Sequence, residues 1–192
     1  MKYLNKKFNS KILSLKQLVK KISYHKKTGK KIVMCHGTFD LVHPGHIRHL
    51  YYAKSKGDIL IVSVTGDKFV TKKSSGTYVP EDLRVRNIAA LELVDYTFID
   101  HNYKPLESIE KIKPNFFVKG FEYNLNSTQN QNTLEEKNAL KKSKGKIIFS
   151  PGDVVYSSTK FQNTLKPDIR IEKLYSLLKK ENISISKIIQ LL

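Results

Sequence analysis

Apolar positions along the chain follow two periods in alternation. Between Leu13 and Lys27 they recur at helical spacing, with Leu15, Leu18, Val19 and Ile22 sharing one side, and Thr28-Gly29 stops the pattern. Lys31 to Cys35 then reads as an apolar strand that breaks at Gly37. Pro44 suits the first turn of a helix, because its ring presets φ and its missing N–H would be unpaired there anyway. That helix runs to about Lys56 and stops at Gly57. Asp58 to Val64 is a nearly continuous apolar run, as expected of a parallel strand covered on both faces.

The same rhythm continues. Pro80 to Leu91 predicts a helix, with proline and two acids in its first turn to match the dipole. Leu93 to Asp100 predicts a third strand, Tyr103 to Lys113 a short helix ended by Pro114, and Asn115 to Gly120 a fourth strand. Asn124 to Thr133 is rich in Asn, Gln, Ser and Thr and predicts a loop, either a lid over a substrate or plain surface. Leu134 to Lys144 predicts a helix ended by Gly145, and Lys146 to Ser150 a fifth strand. Strands alternating with helices predict an α/β fold: a Rossmann-like, doubly wound five-stranded parallel sheet with helices on both faces. An N-terminal helical extension (1–30) precedes this domain (31–165). A C-terminal tail (166–192) follows, whose apolar residues, from Leu174 to Leu178 and from Ile183 to Leu192, suggest two short amphipathic helices.

Composition narrows the class. The 192 residues suffice for one domain with a real core, and at 40% hydrophobic the chain is neither disordered nor membrane-bound. No apolar run approaches the roughly 18 residues of a membrane span. The Lys-rich N-terminus lacks the apolar segment of a secretory leader. One cysteine, Cys35, excludes an internal disulfide and fits the cytoplasm. The formal charge of +18 is carried by lysines spread through the chain without an arginine- or aromatic-rich recognition pattern, so nucleic acid is not the expected partner.

The chemistry concentrates between Val33 and Leu50. A strand, a glycine loop and a helix N-terminus follow one another there, and such a junction gathers free N–H groups and the positive end of the dipole where a phosphate can bind. His43 and His46 lie three apart across it, so both imidazoles can face one pocket and donate to phosphate oxygens whose charge grows during transfer. Cys35, His36, His43, His46 and His49 also invite a zinc reading, but a glycine loop followed by Pro44-Gly45 is better explained by phosphate.

The order strand, Gly37-Thr38-Phe39-Asp40, then His43-Pro44-Gly45-His46 resembles the HxGH nucleotidyltransferase superfamily. The nearest likeness is to glycerol-3-phosphate cytidylyltransferases and the adenylyltransferase domain of ADP-heptose synthases. Val94-Asp95-Tyr96 and Val118-Lys119-Gly120 are similar to segments of the heptose relatives, and Ser157-Ser158-Thr159 resembles the SSTxI motif that opens a helix in these enzymes. The resemblance covers roughly residues 12–165. It departs at Gly76-Thr77-Tyr78, where relatives carry an Arg-Pro pair, which puts substrate contacts at that loop in question.

The resemblance implies an enzyme that transfers CMP or AMP from CTP or ATP to a phosphorylated sugar or polyol and releases pyrophosphate, for a surface polysaccharide. His43, His46 and Lys72 are the implied catalytic residues, with Lys73 a weaker alternative to Lys72. Gly37, Thr38, Phe39, Asp40, Gly45, Arg84, Lys119, Gly120, Ser157, Ser158 and Thr159 are the implied nucleotide-binding set. Mg2+ is implied on the triphosphate, with no protein metal site. The tail is expected as a homodimerisation element or as the remnant of a connection to a sugar kinase. The competing reading is a basic nucleotide- or nucleic-acid-binding protein without turnover on the same fold.

Overall fold

The computed structural model describes residues 8–70, 76–123, 131–141 and 143–151. Five parallel strands form the sheet: β1 (Ile32–Gly37), β2 (Ile59–Thr65), β3 (Tyr96–Asp100), β4 (Phe116–Lys119) and β5 (Lys146–Phe149). Their spatial order is β3-β2-β1-β4-β5. The chain therefore winds outward from β1 to β3 and then crosses to the other side of β1 for β4. The carboxyl ends of β1 and β4 flank the point where the order reverses, which is where open α/β sheets leave a ligand crevice. Register fixes the neighbours at that edge: Cys35 faces Val62 on β2 and Val118 on β4.

Strand alternation sorts the core into two layers. Val33, Cys35, Leu60, Val62, Val64 and Val118 meet α2 (Pro44–Lys54) and α3 (Glu81–Ala89) through Leu50, Ala53, Val85 and Ile88. Ile32, Met34, Ile61, Phe98 and Phe117 meet α1 (Leu15–Lys27), α4 (Leu106–Ile112) and α5 (Gln131–Lys141). Helices thus cover both faces, as the continuous apolar strands required. In α1 Ser14 and Gln17 form a reciprocal capping box, and Leu18 and Ile22 are buried. Lys11 and Leu13 pair with Thr97, so the segment before α1 adds a short parallel bridge to the β3 edge.

Three elements start three residues away from the sequence reading. β3 begins at Tyr96 rather than Leu93, because Asp95 turns its carboxylate back to accept from the Leu60 N–H at 2.7 Å and from Lys54 Nζ at 2.5 Å. α4 begins at Leu106 rather than Tyr103, since Pro105 disfavours helical backbone in the residue before it. α5 begins at Gln131, inside the stretch expected to be loop. Its inward face opens with polar residues, Thr133 and Glu136, before Ala139 and Leu140, so apolar spacing could not show its first turn. Among the described residues no helix is long and apolar enough to cross a membrane. The C-terminal tail and residues 124–130 lie outside the described residues.

Candidate active site

β1 delivers the chain to Gly37 at the carboxyl edge, and α2 starts at Pro44. His43 is the N-cap of α2, with extended backbone, and its Nδ1 accepts from the Gly45 N–H at 3.1 Å. An imidazole here does the work usually given to a hydroxyl or carboxylate oxygen. The bond also sets the tautomer: Nδ1 is the acceptor, so the proton of the neutral ring is on Nε2 and is available to a ligand.

The rings of His43 and His46 stack, with centroids 3.8 Å apart. Phe39 meets the His46 ring edge-on at 5.1 Å. Phe39 adopts a left-handed backbone, φ 49°, which folds its ring back over the loop. A side chain on Gly37 would have its Cβ 3.1 Å from the Phe39 ring, so the glycine is what lets that ring lie against the strand end. Nδ1 of His46 is buried and makes no hydrogen bond of normal geometry, although the Leu41 backbone lies near the ring. Such a nitrogen at a strand-to-helix junction awaits a ligand atom or water. Burial, then repulsion from His43 and His49, pushes the His46 pKa down to about 4, against a backbone hydrogen bond with Leu41. Burial also lowers His43. Both rings are therefore neutral donors near pH 7.

The walls of the site are held by two buried charges. Asp40, 4% exposed, accepts through Oδ1 from the N–H groups of Tyr78 and Val79, each at 2.9 Å. Arg84 is fully buried. Its Nε donates to Val79 O at 2.9 Å, Nη1 to Thr38 O, and Nη2 to Thr65 O at 2.7 Å and Asp67 Oδ1 at 2.6 Å. The arginine expected beside the nucleotide thus turns its guanidinium inward. It pins the Thr38 loop, the end of β2 and the 77–79 segment to one another. Burial raises the Asp67 carboxyl, but hydrogen bonds from Arg84, Glu81 and Thr77 outweigh it and hold the group below its usual range.

Lys119 ends β4 across the reversal point from β1. It is 8% exposed, its Nζ pairs with Glu136 of α5, and it lies 4.6 Å from the centroid of Tyr123. Burial raises the Glu136 carboxyl, and Lys119 opposes the shift. The Ser150 N–H donates to Lys119 O at 2.9 Å, and Ser150 Oγ lies 3.0 Å from His49 Nδ1, which ties the β4 end to the histidine helix. His36 bridges Ser63 Oγ at 2.8 Å and Thr65 Oγ1 at 3.2 Å. Glu136, Asp67 and Ser150 escaped the sequence reading, because their partners come from other elements and no local spacing marks them. Among the described residues no cluster of three or more His, Cys, Asp or Glu is arranged to hold a metal. Cys35 is buried, and burial raises its thiol. The fold thus brings Gly37, Thr38, Phe39, Asp40, His43, Gly45, His46, Lys119 and Gly120 to one edge. Lys72, Lys73, Ser157, Ser158 and Thr159 lie outside the described residues.

A family model described as cytidylyltransferase-like matches residues 34–190, which is most of the chain. The chain belongs to the cytidylyltransferase-like family. That membership makes it a nucleotidyltransferase. Among similar proteins, the bifunctional protein HldE of Aliarcobacter butzleri is 37% identical over 72% of this cytidylyltransferase-like chain and 29% of its own length. The corresponding protein of Geobacter metallireducens is 39% identical over 60% of this chain and 24% of its own. The chain therefore spans less than a third of these two relatives. A solved lipopolysaccharide core biosynthesis protein from Thermoplasma volcanium superposes with a TM-score of 0.55 at 26% identity, over 64% of this chain and 98% of that one. A pantoate-beta-alanine ligase from Francisella tularensis shares the fold alone, with a TM-score of 0.51 at 20% identity, over 88% of this chain and 78% of that one.

Proposed function

We propose that this nucleotidyltransferase moves AMP or CMP from ATP or CTP onto the phosphate of a sugar or polyol phosphate, releasing pyrophosphate and supplying an activated precursor for surface polysaccharide in the cytoplasm. The observation that carries the reading is the stacked, neutral His43–His46 pair at the N-terminus of α2. The HldE relatives and the lipopolysaccharide core biosynthesis protein support a sugar phosphate acceptor. The resemblance of Val94-Asp95-Tyr96 and Val118-Lys119-Gly120 to segments of ADP-heptose synthases favours ATP over CTP.

In the proposed reaction an oxygen of the acceptor phosphate attacks the α-phosphorus, and the bond from that phosphorus to the pyrophosphate oxygen breaks. The nucleophile is already anionic, so no general base is required. Catalysis rests on alignment and on stabilising the charge that develops on the α-phosphate and the leaving group. His43 donates from Nε2, held in that tautomer by Gly45, and His46 stacks beside it. The α2 N-terminus adds dipole and N–H groups. Thr38 and Phe39 line the nucleotide through backbone. Lys72, Ser158 and Thr159 are proposed to grip the phosphates. Mg2+ enters with the triphosphate as part of the substrate, held mostly by phosphate and water.

The acceptor must arrive phosphorylated, so a kinase acts before this step. Relatives named bifunctional, of which this chain spans a minor share, support a kinase encoded alongside or fused to it. The test is pyrophosphate release with ATP and CTP in turn against a panel of sugar and polyol phosphates with Mg2+. Release that depends on one nucleotide and one acceptor is expected. A folded protein that binds nucleotide but releases no pyrophosphate with any pair would overturn the reading.

A further inference from the structure

We propose that the buried Lys119–Glu136 pair reads the base of the nucleotide, selecting adenine and cytosine over guanine and uracil. The inference rests on the nucleotidyl-transfer reading above and deepens it.

Position is the first support. Lys119 closes β4 on one side of the crevice, and His43 and His46 open α2 on the other. Ser150 bridges the two, its N–H on Lys119 O and its hydroxyl at His49, one helical turn beyond His46. Lys119 directly follows Val118, which pairs in register with Cys35, two residues before Gly37. The pair therefore sits on the edge where the fold gathers its ligand-facing loops.

Chemistry is the second. Taking two charges nine-tenths out of water costs more than their attraction returns unless geometry is very good, so such a pair is poorly explained as a device for stability. α5 is already anchored through Ala139 and Leu140. Nor does the pair suit a phosphate, since Glu136 neutralises the ammonium and would repel the anion. What it offers is a donor and an acceptor side by side. Lys119 Nζ has N–H groups beyond the one given to Glu136 Oε2. No described residue donates to Glu136 Oε1. The Tyr123 ring braces the ammonium.

Adenine and cytosine each present an exocyclic amine next to an unprotonated ring nitrogen, whereas guanine and uracil present a carbonyl next to a ring N–H. The amine meets Glu136 Oε1, and the ring nitrogen accepts from Lys119. Held in that same orientation, guanine or uracil would set a carbonyl oxygen against the carboxylate and a ring N–H against the ammonium, so the pair rejects as well as attracts.

Calorimetric titration of the full chain with ATP, CTP, GTP, UTP and inorganic tripolyphosphate, all with Mg2+, tests this without an identified acceptor. The wild type should bind ATP or CTP at least about tenfold more tightly than GTP and UTP, the scale of one good bidentate contact. Glu136→Gln should bring that ratio toward one and leave tripolyphosphate binding unchanged. The paired variant Lys119→Met/Glu136→Leu guards against loss of fold, because apolar replacement of a buried pair is tolerated, and it should also lose selectivity. The proposal is overturned if the wild type does not discriminate, if the variants keep its selectivity, or if tripolyphosphate binding falls with that of the nucleotides. A folded wild type that binds no nucleotide at all would instead remove the nucleotidyl-transfer reading, and this one with it.

Discussion

The imidazoles of His43 and His46 stack with centroids 3.8 Å apart and planes 27° from parallel. At that distance a proton added to one ring opposes a proton on the other, and burial disfavours both. Both rings are therefore held neutral near pH 7.

Replacing either ring by alanine should lower kcat by about 100-fold or more, the scale of losing one oxyanion donor. His43→Ala removes the N-cap of α2 as well. His46→Ala leaves the cap in place, so comparing the two separates phosphate stabilisation from helix positioning. Steady-state pyrophosphate release is the measurement, and a near-normal rate in His46→Ala would remove that residue from the mechanism.

The depressed His46 pKa also predicts a pH dependence of stability. In the unfolded chain this imidazole titrates near 6.5, and in the fold near 4. Between those values the unfolded state binds the proton and the native state does not, so stability falls as pH drops through the window and is fully present above it. The contribution is on the order of 3 kcal/mol across the window. Urea unfolding at pH 5 and pH 7.5 should show the loss, and His46→Gln should shrink the difference between the two pH values.

Arg84 holds three backbone carbonyls and one carboxylate from wholly buried nitrogens. Arg84→Met leaves those acceptors unpaired in the interior and should destabilise the fold by about 3–5 kcal/mol. Lysine cannot reproduce the planar fork, so Arg84→Lys should recover only part of the loss. Denaturant unfolding checks this. A cost below about 1 kcal/mol for Arg84→Met would mean that the clamp is dispensable.

Gly37→Ala places a methyl 3.1 Å from the Phe39 ring, which is itself packed on His46. The fold should survive, since the far end of one side chain can shift. The ring cannot shift without moving His46, and misplacing a catalytic group by about 1 Å lowers rates by up to 100-fold. A tenfold or larger fall in kcat with an unchanged unfolding midpoint is expected. An unchanged kcat would show that Phe39 does not position His46.

Local signals carried much of the fold. The apolar runs of β1 and β2 announced strands buried on both faces, and Pro44 after a glycine loop announced the start of α2. Where those signals were polar or shared, the reading slipped. The first turn of α5 was hidden because its buried face is Thr133 and Glu136, and β3 starts late because Asp95 is held by Lys54 and the Leu60 N–H from elsewhere in the chain.

The sequence by itself determined the α/β architecture and the histidine junction, because strand periodicity, a proline at N1 and two histidines three apart are properties of short contiguous segments. Only the tertiary structure decided which groups Arg84 and Lys119 hold. Each is a basic residue in a family-like position, implied by the resemblance alone to bind nucleotide. The partners that decide the matter are Thr38, Thr65 and Val79 for one and Glu136 for the other. A buried charge takes its role from the groups that replace its water, and those groups are set by strand order and helix docking rather than by neighbours along the chain.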